Sequence, residues 1–235
     1  MGVGFLHCTL SEWPYLRVRL LRTRLGLWLL LLIAAALWLE RTAARPDSLG
    51  VALRAGAFAA VLCVGYLAGA RSDRLALSLA LSHPRSPGAV ALGRWLAATG
   101  GAALVVIAAT AHAAWMSGMV APSLRAAIAG VVTAAAVGAC ALGIAWIGGN
   151  VPVGAFLLWL ALFGGLAPEA VLARAHPDVG QIVLAGLLEI APALWRYRRV
   201  ATGDFGASAH AAAWVIVGVL VARWRVARAA TASMG

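Results

Sequence analysis

The feature that most constrains this sequence is a series of long apolar runs, separated by shorter segments that carry arginine. A helix needs about 20 apolar residues to cross a bilayer, and a backbone in lipid must satisfy its own hydrogen bonds. Runs of this kind therefore predict transmembrane helices and an all-α, polytopic fold. We predict six spans, at about Leu20 to Leu39, Val51 to Ala70, Trp95 to Met116, Leu124 to Ile147, Val151 to Ala173 and Ala209 to Trp224.

The composition excludes the main classes of soluble protein. Hydrophobic residues make up 63% of the 235 residues, and charged residues only 11%. Soluble domains carry about 25% charged residues, so this chain has too few charges to cover a surface that faces water. We therefore expect one transmembrane domain over residues 1–235, and not a soluble enzyme, a disordered tail or a DNA-binding domain.

The arginines indicate how the chain is oriented. All 19 basic residues are arginine, and the net charge is +11. With the N-terminus inside, 11 of the 19 fall in cytoplasmic segments, as the positive-inside rule favours. We therefore expect a multi-pass protein of a bacterial inner membrane with both termini in the cytoplasm. Three segments outside the spans are of interest. These are an N-terminal segment over 1–24 (an amphipathic elbow or a simple anchor), a cytoplasmic segment over 71–94 and an outer segment over 174–208.

The cytoplasmic segment has the pattern of an interfacial helix. Arg74, Ser78 and Ser82 are four residues apart, so a helix places them on one polar stripe and leaves its other faces apolar. Alternating leucines also fit a strand, but a lone strand would leave both edges unpaired. The helix should stop before Pro84, because the residue before a proline avoids helical geometry. The elbow that follows comprises His83, Pro84, Arg85, Ser86 and Pro87.

The outer segment contains an apolar stretch from Val179 to Leu194 that is too short and too polar for a confident span. We expect a re-entrant or interfacial helical hairpin. Glu189 in such a stretch is costly unless it faces water or pairs with an arginine. Together with Pro192 and Trp195 it could form an outer gate or partner site, whereas the basic cluster Arg196 to Arg199 alone would suit lipid headgroups.

Motifs for chemistry are missing from the sequence. There is no P-loop, HExxH or GxSxG pattern, so we expect no catalytic residues, no ATP hydrolysis by this chain and no enzyme activity. The three cysteines (Cys8, Cys63 and Cys140) are widely spaced, which predicts small buried hydrophobes and no metal site. No second His, Asp or Glu lies at helical spacing from His112, which argues against a proton relay or a haem ligand at this position.

The segment between the second and third spans resembles that of the permease subunit of type-2 ABC transporters. The family pattern is a charged segment after span two, a helix, a proline exit and a basic residue at the start of span three. The matching residues are Arg71, Asp73, Arg74, Leu77 to Leu81, Pro84, Ser86, Gly93 and Arg94. Leu75 and Ala76 stand where Gly-Thr is common, and Arg94 stands where lysine is usual. The resemblance covers the whole chain in layout and about 25 residues in motif.

The resemblance implies a function for that segment. It would be a coupling helix that docks on a separate ATPase subunit, which binds the ATP and Mg, so this chain itself would bind no cofactor. The contact would involve Arg71, Asp73, Arg74, Ser78, Ser82, His83, Pro84, Arg85 and Ser86. A second copy of the permease, or a related one, would complete the exporter. The sequence leaves two alternatives open: a structural or assembly subunit of a larger membrane complex, and, with least support, a membrane enzyme.

Overall fold

Helices make up almost all of the described chain, and no strand occurs within those residues. A computed structural model describes residues 18, 24–42, 47–68, 86–173 and 178–232. The helices are α1 (Leu25–Thr42), α2 (Ser48–Ala68), α3 (Pro87–Ser117), α4 (Val120–Gly148), α5 (Asn150–Phe163), α6 (Pro168–Leu172), α7 (Val179–Ile190), α8 (Leu194–Tyr197) and α9 (Phe205–Ala232), with a 3₁₀ turn at Arg198–Thr202 between α8 and α9. The prediction of an all-α protein is confirmed.

Four of these helices are long and apolar enough to cross a membrane: α2, α3, α4 and α9. The pair formed by α7 and the α8–3₁₀ segment makes a fifth candidate, bent by 46° at a short break. The apolar parts of α1 and α5 are shorter, at Leu25–Trp38 and Asn150–Phe163. Within the described residues, the chain therefore has four to five helices of membrane-spanning length.

The predicted fifth span is not one continuous helix. We expected it from Val151 to Ala173, but α5 ends at Phe163 and the short α6 begins only at Pro168. Gly164 and Gly165 lie in the break, and the proline at 168 cannot donate a helical hydrogen bond. In the sequence, these two glycines have the same pattern as glycines that pack helices together.

Two turns follow directly from local chemistry. The hydroxyl of Ser86 accepts a hydrogen bond from the Ala89 amide (3.1 Å), and Pro87 occupies the first turn, so α3 starts as a capped helix. Between α4 and α5, Gly149 has φ of 76°, a conformation that glycine adopts without strain. The two helices are therefore joined by a tight turn at residues 148–150.

Small residues form the interfaces of the bundle. The central helix α4 packs against α2, α3 and α9. At Gly130, an added Cβ would lie 2.7 Å from a methyl of Val106 and 3.0 Å from the carbonyl oxygen of Ala52. At Gly218, an added Cβ would overlap the backbone of Ala139. Close backbone approach and packing hold helices together where lipid gives no hydrophobic drive, and Gly130 and Gly218 allow that approach.

The long helices give the bundle two distinct ends. We call the end near Leu67, Arg94 and Ile147 the Arg94 end, because Arg94 bonds to Leu67 there and Arg225 reaches Ile147. The opposite end, where α2 begins, is the Asp47 end. A 21-residue helix such as α2 is about 30 Å long, so the two ends are separated by about the thickness of a bilayer core.

Replacing Gly218 with alanine tests the packing of α9 on α4. The new methyl meets backbone and not a movable side chain, so Gly218→Ala should lower the free energy of unfolding by about 1–3 kcal/mol. Gly65→Ala is the matched control, because an added Cβ there meets nothing within 4 Å. Thermal unfolding in mild detergent measures both. Equal unfolding temperatures for the two variants would contradict the close α4–α9 contact.

Candidate functional site

Of the cytoplasmic segment predicted over 71–94, the structure describes residues 86–94, which include only the last of its predicted contact residues. Arg71, Asp73, Arg74, Ser78, Ser82, His83, Pro84 and Arg85 lie outside the described residues. Ser86 is described, and it caps the first turn of α3. From Pro87, the residue after Ser86, α3 continues for 31 residues.

Arg94 joins the two helices that flank this segment. Its Nη1 donates a hydrogen bond to the carbonyl oxygen of Leu67 (3.1 Å), in the last turn of α2. The residue is only 2% exposed, and its guanidinium lies 5.4 Å from the ring centroid of Trp146 on α4. Helix ends leave carbonyls without intrahelical partners, and a cation there also interacts favourably with the helix dipole. Arg94 therefore caps α2 from α3 and contacts α4.

A second arginine is placed in a similar way at the same end. Arg225 of α9 approaches the carbonyl oxygen of Ile147, near the end of α4, at 3.5 Å. The guanidiniums of Arg225 and Arg228 also lie over the ring of Trp224. Arginine side chains from α3 and α9 thus reach the final turns of α2 and α4, respectively.

Glu189 of the outer segment has an arginine partner. Lying at the end of α7, it forms an ion pair with Arg196 of α8 and is itself exposed, so both conditions that the sequence analysis gave for this acid are met. Trp195 lies between them in sequence. Its indole nitrogen donates to the carbonyl oxygen of Leu188 (3.1 Å), and its ring contacts the guanidiniums of Arg196 and Arg199. These contacts join α7 to α8 across the break.

The break itself sits at Ala191, Pro192 and Ala193, between α7 and α8. Pro192 is buried there, where it cannot supply a backbone donor. The freed amides of Leu194 and Trp195 donate to the carbonyl oxygen of Gly164, at 2.7 and 3.2 Å. Amides that follow the break after α7 therefore pair with a carbonyl oxygen in the break after α5.

A hydrogen-bond network around the Ile190 carbonyl was not predicted from the sequence. The indole nitrogen of Trp214 donates to this oxygen (2.8 Å), and Nε2 of His210 lies 3.0 Å from it. Nδ1 of His210 lies 3.2 Å from the hydroxyl of Tyr197. If Nε2 donates to Ile190, Nδ1 accepts from Tyr197, which satisfies both ring nitrogens. The four-residue spacing of His210 and Trp214 was the available signal, because it places both on one face of α9.

An ion pair at the Asp47 end was also missed. Both carboxylate oxygens of Asp47 accept hydrogen bonds from Nη2 of Arg198, at 2.9 and 3.0 Å. The same carboxylate accepts from the Gly50 amide (3.1 Å), so Asp47 also caps α2. The two residues are 151 positions apart, a separation that local sequence patterns do not reveal.

Metal-ligating groups do not cluster within the described residues, where no set of three or more His, Cys, Asp or Glu side chains comes together. Cys63 and Cys140 are free and buried, which fits their interpretation as small hydrophobes. Cys8 lies outside the described residues, and His112 is half-buried on α3.

Removing the Arg94 guanidinium tests its role as a cap. Arg94→Gln is too short to keep the bond to Leu67, so it should lower the free energy of unfolding by about 1.5–3 kcal/mol, the usual size of a charged hydrogen bond. Exchange of the backbone amides at the end of α2 should also speed up, measured by hydrogen–deuterium exchange. Arg125→Gln, at an exposed position, should stay within about 0.5 kcal/mol. An equally stable Arg94→Gln protein with unchanged exchange would contradict the cap.

No protein-family model matches the chain, and no curated protein matches its sequence.

Proposed function

We propose that this chain is the membrane-spanning permease subunit of an ABC exporter. In this proposal it crosses a bacterial inner membrane six times with both termini in the cytoplasm, and residues 71–86 dock on a separate ATPase subunit that binds ATP and Mg. A second copy, or a related permease, completes the complex. The long apolar helices support the membrane part of the proposal, and the motif at 71–94 supports the transport part.

The observation that carries the proposal is the buried bond between Arg94 and Leu67. It ties together the helices that enter and leave the proposed docking segment. A displacement of that segment would therefore reach α2 and α3 as one unit and, through Trp146, α4 as well. A packed interior transmits such displacements because it yields little under load. A coupling segment requires this kind of attachment.

Charge at the Arg94 end supports the proposed orientation. Four arginines lie in the helix ends there, with no acidic residue among the described residues of those helix ends: Arg94, Arg223, Arg225 and Arg228. Positive charge next to spans favours the cytoplasmic side. The Arg94 end is therefore the cytoplasmic end in this proposal, and the Asp47 end faces outward.

The alternative is a structural or assembly subunit with no transport of its own. The Arg94 anchor would serve that role too, by holding a docking segment for some other cytoplasmic protein. The two proposals differ in the partner they require, since only the exporter needs an ATPase in fixed proportion to this chain.

Co-purification from the native host in mild detergent tests the exporter directly. The wild-type chain should bring down one ATP-binding-cassette subunit per permease. The triple variant Arg71→Glu, Asp73→Arg, Arg74→Glu should lose it, because the charges that meet the ATPase are reversed. Its net charge changes by −4 + 2 = −2, and Arg125→Glu, at the opposite end, gives the same change as a control.

Each outcome of that experiment has a definite meaning. An ATPase kept by Arg125→Glu and lost by the triple variant supports the exporter and the docking segment together. A stoichiometric complex without any ATPase would overturn the exporter in favour of the assembly subunit. Retention of the ATPase by the triple variant would overturn the assignment of residues 71–74 as its contact.

A further inference from the structure

A pocket at the Asp47 end combines arginines with an apolar wall. It has a volume of about 540 Å³ and lies between the start of α2, the turn after α5 and the α8–3₁₀ segment. Leu49, Leu53 and Leu194 contribute its apolar surface. The pocket therefore forms where the two helix breaks meet the first turns of a membrane-length helix.

Three guanidinium groups line the pocket, from Arg54, Arg198 and Arg199. Of these three guanidiniums, only that of Arg198 forms an ion pair with a described carboxylate, that of Asp47. Arg199 contacts the ring of Trp195, and within the described residues neither Arg199 nor Arg54 forms an ion pair with an acid. The pocket thus carries three positive charges against one negative charge, which favours an anionic ligand.

The depth of the pocket favours a ligand that is partly apolar. Arg54 lies six residues into α2, about 9 Å along the helix axis from Ser48. That distance is comparable to the headgroup region of one leaflet, where arginine extends its guanidinium toward water and leaves its stem in apolar surroundings. A bare ion would contact only the guanidiniums, whereas an amphiphile would also contact the apolar atoms that line the pocket.

We propose that this pocket binds the anionic headgroup of an amphiphile, with a phosphate or carboxylate held by Arg54 and Arg199. Guanidinium groups bind both anions through paired, charge-assisted hydrogen bonds. The hydrocarbon part packs against Leu49, Leu53 and Leu194. The proposal stands apart from ATP-driven export, because it depends only on the pocket.

Binding of short-chain lipids to the intact, detergent-solubilised protein tests the proposal. The probes are dioctanoyl phosphatidylglycerol, dioctanoyl phosphatidylcholine and glycerol phosphate, with binding followed by native mass spectrometry. The anionic lipid should bind saturably, and at least about tenfold more tightly than either the zwitterionic lipid or the headgroup without chains. Arg54→Gln and Arg199→Gln should each weaken it about tenfold, as loss of a charged hydrogen bond implies.

Two further variants separate the pocket from general effects. Gly165→Leu should also weaken binding, because Gly165 lines the pocket and an added Cβ there meets nothing within 4 Å, so the larger side chain can fill the space. Arg125→Gln removes an exposed arginine that does not line the pocket, and it should bind as the wild type does. Circular dichroism and thermal unfolding confirm that each variant is folded.

Several results would overturn the proposal. Equal binding of both lipids would show that the pocket does not select an anion. Equal binding of glycerol phosphate would show a plain anion site with no role for the apolar wall. Unchanged affinity in folded Arg54→Gln, Arg199→Gln and Gly165→Leu, or an equal loss in Arg125→Gln, would place lipid binding elsewhere.

Discussion

Backbone carbonyls that lose their helical partners must be satisfied inside the protein, because lipid supplies no hydrogen-bond donors. This constraint accounts for most of the long-range polar contacts among the described residues. Donors from other helices or from a second break reach five such carbonyls, those of Leu67, Ile147, Gly164, Leu188 and Ile190. Each of these carbonyls lies close to the point where a helix ends. Most of the polar contacts between helices therefore lie at helix ends, and the bond from the Trp95 indole nitrogen to the Ala135 carbonyl oxygen, in the middle of α4, is an exception.

The two ends of the bundle meet this constraint with different chemistry. At the Arg94 end, arginines reach over neighbouring helix ends and lie against tryptophan rings. At the other end, backbone amides and the Tyr197–His210–Trp214 network connect the interrupted helices. The first arrangement ties α2, α3 and α4 together beside the proposed docking segment. The second leaves short helices and a pocket.

The sequence predicted what depends on length and local chemistry. Apolar runs located α2, α3, α4 and α9, and the cost of an acid in an apolar stretch indicated that Glu189 would face water or pair with an arginine, which Arg196 provides. The break after α5 was missed, because Gly164 and Gly165 in an apolar run have the same pattern as packing glycines. The bonds of Arg94 and Asp47 were missed because their partners are 27 and 151 positions away, and only the folded chain brings them together. The proposed docking residues between 71 and 85 lie outside the described part of the chain, so their arrangement stays a prediction.

Site-specific photocrosslinking in living cells tests the central claim most directly. A photoreactive residue replaces Arg74 in one protein and Arg125, near the opposite end of the bundle, in another. The account predicts a crosslink from position 74 to an ATP-binding-cassette ATPase and none from position 125. A crosslink from position 74 to a protein of another class, or to lipid alone, would contradict it and leave this chain a membrane subunit of some other complex.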